Sequence, residues 1–320
     1  MGWTDRNVEF PNRYRLVKVP GTDDIYELEP APGEVVAEGT FVNKANMLTD
    51  ETAALLGGAE TVNEALRALG IHSMNFHYVQ LTTSGTWIAP GNIVDNKVHV
   101  MAFGGGGAGG YAQYGNNGGA GGGGGGYMNE ADIIIVPGQS YEYVIGTGGI
   151  GIDVSTYKGN DGGTTRFESD PPVEAAGGSG GAGRTGTSGG NGGRGGTGGG
   201  GGYGSSGGSG GIGTYGGNGS YGEDTRYSTG GKGVYASGGT NNYHRAGGGG
   251  GGYFGAGGAG ASQGGGGGGG YNGVGGSGNG GGASGYAAGG GGGGYNFGQY
   301  GGNGAQGIII LTYYTTTKED

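Results

Sequence analysis

Apolar and polar residues alternate in short segments on both sides of a long glycine-rich block. Within residues 96–103, Val98, Val100 and Ala102 occupy every second position. A period of two is typical of a β-strand with one buried face. Comparable short segments lie at 76–81, 86–89, 131–136, 140–145, 163–167 and 308–317. Six or seven such strands predict a small antiparallel β-domain that occupies residues 75–320.

The pattern before this domain is different. Four prolines within residues 1–40 favour extended segments that pair with another element, without a core of their own. Two short helices are predicted at 49–56 and 61–69, and glycine follows each of them. Apolar residues of the second helix share one face, and such a face must pack against another element of this chain or of a second copy. We therefore divide the N-terminal part into an attachment arm (1–58) and a short helix with linker (59–74).

Glycine dominates the region 104–307, which we interpret as an insertion in the β-domain. The chain has 100 glycines in 320 residues, of which nine precede Gly104 and none follows Gly307. The long glycine runs end repeatedly on tyrosine, at Tyr127, Tyr203, Tyr253, Tyr271 and Tyr295. Random low-complexity sequence would not place an aromatic residue at the end of every long run, so the block is expected to be ordered.

Main-chain hydrogen bonds must order such a block, because few side chains are available for burial. Collagen is excluded, since the chain has only 8 prolines and no Gly-X-Y period. The remaining candidate is a left-handed three-fold extended helix, which has no internal hydrogen bonds and must bond sideways to its neighbours. The predicted fold class is therefore mainly β, with a small antiparallel β-domain that carries packed polyglycine-type helices and with short helices near the N-terminus.

Charge and composition narrow the classes of function. The net charge is −10, which argues against nucleic acid as a partner. Cysteine is absent and the four histidines lack metal-ligand spacing, so no metal or cofactor is predicted. Apolar runs are far too short for membrane insertion, and the polar start predicts no secretory signal. Residues 177–181 match G-x-S-x-G without a strand–turn–helix pattern around them, and we predict that the protein is not an enzyme.

From Gly85 onward, the order of segments resembles the glycine-rich domain of bacteriophage tail-fibre and adhesin proteins. The resemblance rests on GTWIAPGNIVDNKVHVMAFGGGGAGG, GGGGGGYMNEADIIIVPGQSYEYVIGTGGIG, GGTTRF and a terminal GAQGIIILTYY. It covers roughly residues 83–315. The segment FPNRYRLVKVPGTDDIYELEPAPGEVVAEGTFVNKANMLTDETAALLGG is similar to the attachment segment of tail or baseplate appendages in phages and prophages of Gram-positive bacteria.

The resemblance implies a receptor-binding protein, or adhesin, at the tip of a phage or prophage tail. Its expected partners are a bacterial surface receptor (a glycan or an outer-surface protein) and other tail or baseplate proteins, bound through the N-terminal arm. Location in the virion, action at the host cell surface and a homo-oligomer, with a trimer favoured, are further expectations. The alternative hypothesis is a purely structural glycine- and tyrosine-rich spacer or decoration protein of the particle.

Residues 213–245 carry more side chains than any other part of the glycine-rich block, and varied polar loops at one end are what an adhesin needs. Tyrosines that directly follow long runs are interpreted as spacers that cover the ends of the glycine helices. The candidate receptor-binding residues are Tyr215, Asn218, Tyr221, Arg226, Tyr227, Tyr235, Asn241, Tyr243, His244 and Arg245.

Overall fold

In the computed structural model, the chain divides into two compact units, residues 1–73 and 74–320. The first unit is described only at its four strands. The second is described from Met74 to Thr316, except at 113–118, 152–156, 184–187, 204–207, 221, 223–231, 233–235, 241–245, 262 and 295–299. The helices predicted at 49–56 and 61–69 lie outside the described residues.

The strands of the first unit pair with one another. They are β1 (Asn7–Val8), β2 (Tyr14–Lys18), β3 (Tyr26–Pro30) and β4 (Val35–Ala37). Strand β1 pairs with β4, and β2 pairs with β3, both antiparallel. The extended segments expected around the prolines therefore form two two-stranded sheets.

The second unit contains two four-stranded antiparallel sheets. Its strands are β5 (Met74–Leu81), β6 (Gly85–Ile88), β7 (Lys97–Phe103), β8 (Met128–Ile134), β9 (Ser140–Val144), β10 (Thr165–Phe167), β11 (Val173–Ala175) and β12 (Ile308–Thr316). One sheet has the order β5-β12-β7-β8 and the other has the order β11-β10-β9-β6. This architecture confirms the predicted fold class of a small antiparallel β-domain.

Side chains from both sheets form one apolar core. Val98, Val100 and Ala102 are buried, as the alternation in β7 predicts, and His99 lies half-exposed on the opposite face. From the second sheet, Trp87 and Phe167 join the core, with ring centroids 6.1 Å apart. Burial of these side chains is the dominant stabilising term for the sandwich.

Most strand boundaries lie within two residues of the predicted ones, but β8 is displaced further and β11 was not predicted. Strand β8 begins at Met128 and ends at Ile134, whereas the apolar pattern suggested 131–136. The early part of β8 pairs with β7, and this pairing holds polar Asn129 and Glu130 in the sheet although they break the pattern. Strand β11 was not predicted, because three residues after a proline pair give too little periodicity to recognise.

The glycine-rich block folds as a bundle of extended runs, which we call the glycine bundle (the runs between residues 104 and 307 that lie outside the strands). The run 119–127 shows its construction. In this run, the amides of residues 119, 122 and 125 donate to the run 197–203. Those of residues 120, 123 and 126 donate to the run 287–293, and those of residues 121, 124 and 127 donate to the run 176–182. These nitrogen–oxygen distances are 2.7–3.1 Å. A repeat of three residues is the signature of the predicted three-fold extended helix.

Carbonyl groups of the same central run accept hydrogen bonds from three further runs, 104–110, 190–196 and 265–268. The run 119–127 is thus surrounded by six neighbours, and the main chain of each neighbour bonds to it directly. The described part of the bundle satisfies its polar main chain by lateral hydrogen bonds, as a buried backbone requires.

Such close packing leaves no room for a side chain at the glycine positions of the central run, although Ala108, Ala120 and Thr197 are buried at other positions of the bundle. A Cβ atom built on Gly122 would overlap the carbonyl group of Gly266, and one on Gly123 would overlap that of Gly107. Glycine is therefore required at these positions by the approach of the neighbouring main chains.

An aromatic cluster joins the bundle to the sandwich. Phe103, the last residue of β7, is fully buried, and its ring lies 4.9 Å from that of Tyr271 and 6.0 Å from that of Tyr253. Ile308 and Ile310 of β12 complete this second apolar cluster. The expected role of run-ending tyrosines as covers of the helix ends is thus confirmed for Tyr253 and Tyr271.

Candidate receptor-binding site

The candidate site lies at the end of the bundle that is remote from the sandwich, which we call the far end. The run 104–111 leaves β7 directly, and 119–127 returns to β8. Hydrogen bonds join Gly104 to Tyr127 beside the sandwich and Gly110 to Gly121 at the other end. A run of eight residues in this conformation spans about 25 Å.

Three tyrosines from three different runs meet at the far end, and we call them the tyrosine cluster (Tyr111, Tyr157 and Tyr300). The rings of Tyr111 and Tyr157 are stacked, with centroids 5.7 Å apart and 18° between the planes. Tyr300 is tilted by 41° against Tyr111 at 5.3 Å. Tyr300 is 52% exposed, while the other two are half-buried.

Main-chain hydrogen bonds of the bundle position these rings. The Tyr111 amide donates to the carbonyl oxygen of Tyr157 at 2.9 Å, as one step of the three-residue repeat between their runs. Gly109 donates to Gly302 in the same way, which aligns the run that begins at Tyr300. Because main-chain bonds fix the runs, the tyrosine cluster depends on backbone geometry more than on side-chain packing.

A neutral ion pair lies on the run that carries Tyr157. Lys158 Nζ is 2.9 Å from Asp161 Oδ1, and the Gly180 amide donates to the same oxygen at 2.7 Å. Partial burial raises the pKa of Asp161, but the hydrogen bonds from Lys158 and Gly180 outweigh burial, so this pKa lies below its usual value.

Side-chain oxygens replace carbonyl acceptors at other edges of the bundle. Asn303 Oδ1 accepts a hydrogen bond from the Gly151 amide at 2.9 Å, and Asn191 Oδ1 accepts one from the Ser209 amide at the same distance. These two asparagine side chains therefore accept hydrogen bonds from main-chain amides in place of a main-chain carbonyl group.

Of the candidate residues derived from the sequence, the structure describes Tyr215 and Asn218. The Tyr215 ring packs edge-on against Phe103 and its hydroxyl donates to the carbonyl of Gly126 at 3.1 Å, at the sandwich end of the bundle. Burial raises the pKa of the Tyr215 phenol. Asn218 is exposed, and its Oδ1 accepts a hydrogen bond from the Gly213 amide at 2.9 Å.

Both residues therefore support the local fold, and the tyrosine cluster does not include them. The other candidates lie outside the described residues: Tyr221, Arg226, Tyr227, Tyr235, Asn241, Tyr243, His244 and Arg245.

Sequence analysis did not single out the tyrosine cluster, although the sequence contains a signal for it. Tyr111 lies eight residues after β7, Tyr157 eight residues before β10, and Tyr300 eight residues before β12. When several runs share one conformation and one length and all start at the sandwich, their far ends lie at the same distance from it. Equal spacing from the flanking strands therefore identifies residues that can meet.

In the described part of the chain, no group of three or more histidine, aspartate or glutamate side chains could hold a metal ion. His99 bonds to Asp132 on the strand face, with Nδ1 2.9 Å from Oδ1. No helix among the described residues is long and apolar enough to cross a membrane. Ser179, within the G-x-S-x-G match, lies in an extended run of the bundle, where its amide donates to Arg194.

The part of the chain that matches a known protein family coincides with the sandwich and the glycine bundle. A family model described as a glycine-rich domain matches residues 80–314, well over half of the chain. The match begins in β5 and ends in β12, so it includes both the sandwich and the glycine bundle. A search of curated proteins found no match.

Proposed function

This chain belongs to the glycine-rich domain family, and we propose that it is a receptor-binding protein at the tip of a phage or prophage tail. The tyrosine cluster is the observation that carries the proposal. It presents partly exposed aromatic side chains at the end of a bundle whose central glycine positions have no room for a side chain. Tyrosine offers a large amphipathic contact area with few rotatable bonds, which suits recognition.

The residue pattern of the bundle also supports this role. Glycine is required at the closely packed positions of the runs, whereas the ends of the runs carry tyrosine, asparagine, lysine and aspartate. Recognition surfaces are commonly built on loops that a rigid scaffold positions. The N-terminal arm (1–58) would attach the protein to tail or baseplate proteins, and the far end would contact the bacterial surface.

Binding of fluorescently labelled protein to a panel of bacterial strains tests the proposal. We expect strain-selective binding that Tyr300→Ala lowers at least fivefold. Ile134→Ala is the control, because Ile134 is 73% exposed at the end of β8, in the sandwich and outside the far end. Absence of binding to any strain, the natural host included, would contradict the adhesin and favour the structural spacer.

The residues outside the described part need their own test. Alanine variants of Arg226, Tyr227 and Arg245 are compared with Tyr300→Ala in the same assay. Loss of binding in these variants, with an unchanged melting temperature, would assign recognition to residues 213–245. Unchanged binding would restrict recognition to the tyrosine cluster.

We also propose that the protein is a homo-oligomer, with a trimer as the expected state. An apolar strip on β5 and β12 supports self-association: Met74, Phe76 and Tyr314 are all about half exposed, and the rings of Phe76 and Tyr314 lie 5.3 Å apart. Exposed apolar patches commonly mark surfaces that another protein covers. Light scattering should give the mass of three chains, and Phe76→Asp should lower it. A monomeric wild-type protein would contradict this proposal.

A further inference from the structure

We infer that the tyrosine cluster binds a neutral carbohydrate of the bacterial surface. This inference rests on the proposed function and names the chemical class of its receptor. The alternatives for a surface receptor are an anionic phosphate polymer and a protein. Size, charge and the chemistry of the exposed groups distinguish these three classes.

The described cluster is too small to be a complete protein interface. A fully buried tyrosine contributes about 150–250 Å², so one half-exposed ring and two more deeply buried rings offer on the order of 200 Å². A stable protein–protein contact needs about 800 Å² on each partner. A single sugar ring or a disaccharide matches the smaller area.

Charge argues against a phosphate polymer. The only positive charge on the run 157–163 is Lys158, and Asp161 neutralises it at 2.9 Å. The whole chain has a net charge of −10, which repels polyanions at long range. Recognition of phosphate would require unpaired arginine or lysine side chains.

The groups that remain fit a neutral sugar. A pyranose ring has an apolar face of C–H groups, which can cover an exposed aromatic ring, and a rim of hydroxyl groups. Tyr300 supplies the exposed ring, and phenol hydroxyls both donate and accept hydrogen bonds. Asn160 is exposed on the same run as Tyr157, and its amide side chain can both donate and accept hydrogen bonds. The rings are held in place before binding, which reduces the entropy lost on association.

The test uses cells and purified probes with the full chain. Cells that bind the protein are treated with periodate, which cleaves vicinal diols of sugars, or with protease. The carbohydrate inference predicts that periodate lowers binding at least tenfold and that protease leaves it unchanged. Strain-selective binding that survives periodate and is lost with protease would overturn the carbohydrate inference while the adhesin stands. Absence of binding to untreated cells would overturn both.

Variants give an independent readout. Immobilised neutral oligosaccharides of hexose, N-acetylhexosamine and deoxyhexose are compared with glycerol-phosphate lipoteichoic acid. We expect binding to at least one neutral probe, a loss of about tenfold with Tyr300→Ala, and a loss of less than about threefold with Tyr300→Phe, which keeps the ring. Lys158→Gln should leave binding unchanged. Binding to lipoteichoic acid that Lys158→Gln abolishes would overturn the inference in favour of a phosphate polymer.

Discussion

The β-sandwich and the glycine bundle are stabilised in opposite ways within one domain. Leu311 is fully buried in the sandwich and contributes through its side chain. Gly122 is buried in the bundle and contributes by having none, because its neighbours approach to hydrogen-bond distance on every side. The sandwich depends on apolar burial, whereas the bundle depends on directional main-chain hydrogen bonds.

This difference explains where the protein can tolerate change. Cores of apolar side chains accept other side chains of similar volume. Closely packed glycine positions such as Gly122 accept no added side chain, but the ends of the runs lie outside this close packing. A recognition surface at these ends can therefore change without disturbing the scaffold.

The largest effect is expected where the two regions meet. Phe103→Ala removes a fully buried ring that contacts Tyr215, Tyr253 and Tyr271. We expect the free energy of unfolding to fall by about 3–5 kcal/mol, as measured by denaturant unfolding. The loss should affect both regions, because the ring belongs to both. Ile88→Ala, an exposed site on β6, is the control and should change stability by less than about 0.5 kcal/mol.

A single methyl group at the bundle centre should also be costly. Gly122→Ala places Cβ against the carbonyl of Gly266, and we expect a loss of about 2–3 kcal/mol from overpacking. Gly282→Ala is the matched control, because nothing lies within 4 Å of a Cβ at that position. If the two variants melted at the same temperature, the close packing described for the centre would be wrong.

Loss of a buried side-chain hydrogen bond should have a smaller effect. Thr197 is buried in the bundle, and its hydroxyl donates to the carbonyl of Gly269 at 2.5 Å. Thr197→Val keeps the shape and removes the donor, so we expect a loss of about 1–2 kcal/mol. Thr214→Val, at an exposed position, should be close to neutral. A neutral Thr197→Val would show that main-chain bonds alone suffice there.

The smallest effect concerns the pH dependence of stability through Asp161. Its pKa is lowered in the folded protein, so its contribution is complete above the ordinary carboxyl pKa of about 4 and is lost as the pH falls through the lower folded value. The side chain is 59% exposed, and solvent screening limits the contribution to less than about 1 kcal/mol.

Asp161→Asn tests this contribution while it keeps an acceptor for the Gly180 amide. Stability measured between pH 5 and pH 2.5 should fall less steeply in the variant than in the wild type. Identical slopes would show that the Lys158–Asp161 pair has no part in the acid sensitivity of the protein.

The sandwich could be predicted from the sequence because its signal resides in side chains. Val98, Val100 and Ala102 show which face of β7 is buried, and the observed burial agrees. Strand β11 escaped prediction, because Val173 and Ala175 flank only one polar residue and follow two prolines. Such a strand is defined by its pairing with β10, which no local pattern reveals.

The bundle could be predicted as a type of structure, but its arrangement could not. Polyglycine-type helices follow from composition, whereas which runs are neighbours depends on lateral hydrogen bonds that leave no mark in a glycine sequence. The tyrosine cluster was missed for this reason, since Tyr111 and Tyr300 are far apart in the chain. Their equal spacing from the strands becomes informative only once the runs are known to be straight and parallel or antiparallel to one another.

Amide hydrogen exchange, resolved by residue, tests the lateral hydrogen bonding of the bundle most directly. In the edge run 157–163, the amides of residues 159, 160, 162 and 163 donate to neighbouring runs. The described residues provide no acceptor for the amides of Lys158 and Asp161. Slow exchange is therefore expected at the first four and fast exchange at the last two, with uniform protection along 119–127. Fast exchange throughout both runs, while β12 stays protected, would contradict a bundle held by its main chain.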